Sequence, residues 1–348
     1  IVGYGVLGLV FILYGGLGFS KRMQSSAILH EIFRGKFSSV FIPLLLAAGQ
    51  LGWAAVNISL GGTSLATLSH APVAMGIIAY TVILTIMAGL NLYRLAIIKY
   101  AITLSAVGLV VFVLASKVSV VSADQLLSYR PEHANSIFWG ASVVVASLIS
   151  FATVSPDFFQ SVRTKHDVVR STLLGIIIPG MGMCLIGCVL FYNQPQLNLV
   201  TLIAGISFAT LPHIFNTVTN TDGSIALYTP ALKFQSLFRL RFIAAVALGA
   251  VISLSLALAN IINYLETWLK FLSVVSPIFI GVAFAAVSFH HSRHHQPIHF
   301  ARIAYVITAL VCLGLLGATL PVIIALLAPL VIYSISLQYR LIGSNLKH

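Results

Sequence analysis

Gln50 and Trp53 stand three positions apart inside a stretch, beginning near Val40, that is otherwise mainly apolar. On a helix this spacing puts the amide and the indole on one face, one above the other. An amide left unpaired in hydrocarbon is costly, so Gln50 must face protein or a wet cavity. A flat π surface beside a donor–acceptor amide suits a flat, polar, aromatic guest. The same pair also suits a glutamine bonded between packed helices with a tryptophan filling space, and these residues alone leave both readings open. Gly49 and Gly52 flank the pair and leave room for a second backbone or a small ligand to approach.

Two further stretches gather polar groups. Asn216-Thr217-Val218-Thr219-Asn220-Thr221-Asp222-Gly223-Ser224 begins inside an apolar segment already disturbed by Pro212-His213. It is expected to line a cavity, and Thr217, Thr219, Thr221 and Ser224 offer the oxygens a sodium ion accepts. At Ser150 to Asp157, hydroxyls collect around Pro156, which removes a backbone donor and frees a carbonyl further back. Of the seven acids, only Asp222 is expected to reach the interior, so the buried carboxylate relay of many proton-driven carriers is lacking. Moving one charge inward gains roughly 2.3 kcal/mol per 100 mV of potential. One coupling ion, sodium or a proton, would thus support accumulation of a neutral solute.

The remaining reactive residues read as ordinary. His290, His291, His294, His295 and His299 fall in a loop with no cysteine or carboxylate beside them, which argues for a solvated basic loop over a metal site. Cys184, Cys188 and Cys312 lie in apolar segments as small core residues. There is no nucleophile elbow, P-loop, zinc-protease helix or dinucleotide fingerprint. No enzyme, metal or cofactor beyond the coupling cation is expected, and no nucleic-acid partner.

The elements that position these groups are membrane helices. The chain has 348 residues, 59% apolar and only 7% charged, with a mean hydropathy of +1.03. Soluble domains carry about 25% charged residues, so this is a polytopic helical membrane protein. Spanning-length stretches are predicted at 1–19, 38–60, 72–91, 95–116, 136–154, 171–193, 198–220, 240–262, 268–289, 301–319 and 320–338. Of the nineteen Lys and Arg residues, all but Lys117, Arg130 and Lys270 fall on one side of these spans. The positive-inside rule makes that side cytoplasmic, with the C-terminus inside and the start of the chain outside. The net charge of +12 records this orientation. Eleven spans with this polarity, and a first residue that is not Met, are the expectation for a twelve-helix protein whose first span is absent.

Taken together, these residues resemble the nucleobase–cation symporter family, in particular its cytosine and purine permease branch. The resemblance runs over nearly the whole chain. Its most specific part is Pro43 to Trp53, where Gln50-Leu51-Gly52-Trp53 is similar to the Gln-x-Gly-Trp segment that holds the base in that branch. Ser155-Pro156-Asp157-Phe158-Phe159 through Asp167 is similar to the family's Asp-Phe stretch and basic loop. Asn216 to Tyr228 is similar to its Asn/Thr-rich eighth helix, and Leu272-Ser273 with Pro277 to its tenth.

The resemblance implies an inverted five-helix-repeat, LeuT-like fold in one transmembrane domain. Residues 1–116 would be the rest of the first repeat, 136–289 the second, and 301–338 two terminal helices. It implies cation-coupled import of a nucleobase such as cytosine, or a related planar heterocycle, by alternating access in the cell membrane. Trp53 would stack on the ring and Gln50 would bond its edge. Ser150 and Asn216 or Asn220 would complete the polar contacts. Phe151 would supply the second aromatic face if its helix were rotated or unwound. Thr217, Thr219 or Thr221 would serve the cation. An amino-acid carrier of the same fold, a non-transporting fragment, and a membrane enzyme using the histidine cluster are the rival readings.

Overall fold

A computed structural model describes residues 2–35, 37–90, 103–105, 107–108, 111, 137–192, 210–288, 298–315 and 324–332. All regular structure among the described residues is helical. The chain divides into two units, residues 1–49, 135–177 and 266–348 in one, and 50–134 and 178–265 in the other.

The first unit opens with α1 (Val2–Lys21) and the short α2 (Ser25–Phe33), followed by a π-helical turn at Phe37–Phe41. α3 (Ile42–Ser69) begins here and crosses into the second unit at Gln50. The first unit also holds α5 (Ile137–Thr153), α6 (Ser155–Phe159) and α7 (Lys165–Thr172), then α12 (Leu265–Ser288, from Glu266) and α13 (Ile298–Leu315). α1 packs along α5 and α6 because its glycines leave no side chain in the way. A Cβ added at Gly3 would stand 2.7 Å from Val144, and one at Gly18 would stand 2.5 Å from Pro156. Phe33, Phe279 and Tyr305 close an aromatic cluster that ties α2 to α12 and α13.

The second unit contains the rest of α3, then α4 (Val73–Gly89), α8 (Ile178–Tyr192), α9 (Thr210–Thr219), α10 (Gly223–Phe238) and α11 (Phe242–Leu258). A 3₁₀ turn at Asn220–Asp222 joins α9 to α10. α10 ends at Arg239, whose left-handed backbone (φ 53°) turns the chain, and α11 leaves at 118° to the segment before it. Gly62 sits against the backbone of Ile77 in α4, where a Cβ would meet Ile77 Cα at 2.6 Å.

α3 runs nine residues beyond the predicted limit at 60, to Ser69. The reason is local: the hydroxyls of Thr63, Thr67 and Ser69 each donate to a carbonyl one turn back in the same helix. The polar tail therefore satisfies itself inside the helix, while Gly61 and Gly62 pack on α4. Among the described residues, three helical segments, Val2–Lys21, Ser38–Ser69 and Ile261–Val287, are long and apolar enough to cross a membrane, or four if the bent pair counts as one span. Most of the spans predicted at 95–116 and 320–338, and the first part of 198–220, lie outside the described residues.

Candidate functional site

The α3 residues Gln50, Trp53, Asn57, Leu60 and Ser64 follow one another at intervals of three and four, so they form a single stripe. The stripe meets α9 and α10 at defined points. The Asn216 side-chain amide donates to Ser64 Oγ at 2.6 Å and to the Leu60 carbonyl at 3.3 Å. A turn nearer Trp53, Gly223 lies against Asn57, where an added Cβ would be 2.9 Å from Asn57 Cβ. α3 and the segment 213–223 therefore run past each other in opposite directions. Gln50 and Trp53 belong to the same stripe, with Trp53 about 6 Å along the axis from Asn57. Gln50 is buried and Trp53 half-buried.

Around the 3₁₀ turn the polar groups are chained. Asn220 Nδ2 donates to the Asn216 carbonyl at 2.8 Å and to Asn216 Oδ1 at 2.9 Å. His213 Nδ1 lies 3.5 Å from Ser64 Oγ, and its buried Nε2 meets no partner among the described residues. The Tyr80 hydroxyl, from α4, donates to the Thr217 carbonyl at 2.6 Å. That carbonyl belongs to the last turn of α9, where the helix tightens and its acceptors need outside donors.

The expected cation ligands fall on this segment but not on one face. Thr217 Oγ1 donates to the His213 carbonyl and Thr221 Oγ1 to the Val218 carbonyl, each keeping lone pairs for a further contact. Thr219 Oγ1 is buried and has no partner among the described residues. The Ser224 hydroxyl is likewise buried with none among them.

In the first unit, Ser150 lies against Gly49, the residue preceding Gln50: an added Gly49 Cβ would be 3.4 Å from Ser150 Cβ and 3.5 Å from Leu272. The space beside Gly49 is thus filled by α5 and α12, where the sequence suggested an approach route. α5 stays helical through Thr153, so the unwinding that would turn Phe151 into a second stacking face does not occur. Phe151 instead packs on Phe11 and Phe158, with ring centroids 5.8 and 5.4 Å away.

The acids reverse their expected roles. Asp222 is exposed at the end of the 3₁₀ turn, whereas Asp157 is buried in the first turn of α6. There Asp157 Oδ1 accepts from the Ser25 backbone N–H and from the Ser25 hydroxyl. Proximity in sequence to an apolar run did not distinguish the two. His290, His291, His294 and His295 lie outside the described residues, as does the side chain of His299. No group of three or more metal-binding side chains occurs among the described residues.

Ser64, His213 and Tyr80 are the site residues that sequence reasoning missed. Ser64 carries a usable signal, since it continues the stripe that starts at Gln50. Tyr80 carries none in its own stretch, because its partner is a backbone carbonyl 137 positions away.

The fold is all-α and of the LeuT-like class. The structure is similar to that of Mhp1, a nucleobase-cation-symport-1 family transporter, in a closed conformation with bromovinylhydantoin bound. That match has a TM-score of 0.79 and 14% identity, covering 97% of this chain and 84% of Mhp1. The inward-facing conformation of Mhp1 matches with a TM-score of 0.72 and 16% identity, over 98% and 83% of the two chains. No protein-family model matches the sequence, and no curated protein matches it.

Proposed function

We propose that this protein is a secondary active transporter that imports a nucleobase such as cytosine, or a related planar heterocycle, together with a cation. The observation that carries this reading is the α3 stripe. It puts a half-buried indole and a buried amide on the helix face that meets the asparagine-rich 3₁₀ turn between α9 and α10. A planar ring stacked on Trp53 would have its edge read by Gln50 and by an asparagine of that turn. Thr217, Thr219 and Thr221 would serve the cation, with sodium preferred over a proton. Support comes from the shared fold with Mhp1 and from the ligand named for its closed form, bromovinylhydantoin. The protein would act by alternating access in the cell membrane, with its C-terminus cytoplasmic.

The test is uptake of a labelled nucleobase panel by cells expressing the full-length gene product, with and without sodium, beside Trp53→Ala. Base–aromatic stacking is worth about 1–3 kcal/mol, so the variant should lose roughly tenfold to a hundredfold in affinity. Absence of uptake for every base by well-expressed protein would sink the reading.

A further inference from the structure

Two asparagines stand at the helix break, and their hydrogen bonds assign them different tasks. Amide orientation is ordinarily ambiguous, because oxygen and nitrogen look alike. Here a backbone carbonyl settles each case, since a carbonyl can only accept. Asn216 points its nitrogen at the Leu60 carbonyl, and its second N–H goes to Ser64 Oγ. Asn220 points its nitrogen at the Asn216 carbonyl, and its second N–H goes to Asn216 Oδ1. All four amide N–H groups are therefore used within the protein. Asn216 Oδ1 is used as well. Asn220 Oδ1 accepts no hydrogen bond among the described residues, and it lies where the chain passes from the level of Leu60 to that of Asn57, a turn short of Trp53 on α3.

We infer that Ser64 and Asn216 are positioning residues which lock the Asn220 amide so that it offers a solute an acceptor oxygen and no donor. The solute must then present an N–H at that edge. This rests on the reading of Gln50 and Trp53 as the ring-binding pair and names the class of ring they take: one with an N–H donor on the edge facing the break. Ser64 acts at one remove. Its oxygen accepts an Asn216 N–H at 2.6 Å, and His213 Nδ1 lies 3.5 Å from the same oxygen. Without that oxygen, Asn216 keeps only the longer bond to the Leu60 carbonyl, and the Oδ1 that accepts the second N–H of Asn220 is less firmly held.

The experiment uses the full-length protein and compares cytosine, uracil and hypoxanthine with their ring N-methyl derivatives as competitors of labelled parent base. In the native protein, methylation at one ring nitrogen should weaken competition about tenfold or more, because it leaves a buried acceptor unpaired. Asn220→Ala should bring that ratio close to one, Ser64→Ala should lower it part of the way, and Ser64→Thr, which keeps the hydroxyl, should restore it. A methyl group that merely collides with the pocket would give a ratio indifferent to the Ser64 hydroxyl, and that result overturns the inference. So does equal competition by all methylated forms in the native protein. Binding of no base in any form overturns the nucleobase reading itself, a distinct outcome, because parent and methylated compounds then fail alike.

Discussion

Asp157 holds Ser25 by two bonds from one carboxylate oxygen, 2.7 Å to the backbone N–H and 2.8 Å to the hydroxyl. The residues are 132 positions apart, and the pair fastens the start of α2 to the first turn of α6. Hydrogen bonds to a charged acceptor contribute about 1.5–3 kcal/mol, and removing the carboxylate breaks both of these. Asp157→Ala should therefore destabilise the protein by about 3 kcal/mol. Asp157→Asn, which keeps an acceptor oxygen, should lose less. Thermal unfolding of detergent-purified variants ranks them; equal melting temperatures for native protein and Asp157→Ala would remove this pair from the account of stability.

Tyr80 caps the Thr217 carbonyl where α9 gives way to the 3₁₀ turn. Tyr80→Phe removes one hydrogen bond, about 1 kcal/mol, and releases that carbonyl. On the proposed cation role of this segment, the sodium concentration for half-maximal uptake should rise about fivefold. Gly61→Ala should do at least as much, since its Cβ would collide with the Tyr80 ring. Sodium titration of uptake in both variants decides the point, and unchanged sodium dependence would detach the turn from the cation.

Gln50 and Trp53 should fail in different ways. Trp53→Phe keeps a stacking surface and should cost less affinity than Trp53→Ala. Gln50→Ala loses edge recognition and should flatten the preference among bases while retaining stacking. Competition curves across the panel separate the two, and a Gln50→Ala variant with native selectivity would return Gln50 to a purely structural role.

Orientation is testable at two lysines of the first unit. Lys165 opens α7 and Lys270 lies in the second turn of α12, paired with Glu266. By the positive-inside rule the charge distribution would place them on opposite sides of the membrane. In a variant lacking Cys184, Cys188 and Cys312, an impermeant thiol reagent applied to intact cells should label Lys270→Cys and spare Lys165→Cys. The reverse pattern would invert the topology.

Membrane residence, helical class and the pairing of Gln50 with Trp53 on one face were legible in the sequence. Each follows from composition or from a period of 3.6, which need only local neighbours. The asparagine-rich break was legible for the same reason: its polar run interrupts hydrocarbon. The choice between Asn216 and Asn220 was not. Their hydrogen bonds differ through partners the local sequence does not name: Leu60 and Ser64, more than 150 positions away, accept from Asn216, and Asn216 in turn accepts from Asn220. The burial of Asp157 in place of Asp222 was hidden likewise, because Ser25 supplies the donors that make a buried carboxylate tolerable. The packing of Phe151 on Phe11 and Phe158 was equally hidden, because its own stretch of sequence does not show the Phe11 ring, 140 positions away. Local periodicity decides what faces the same way; only packing decides which polar atom is left over for a ligand.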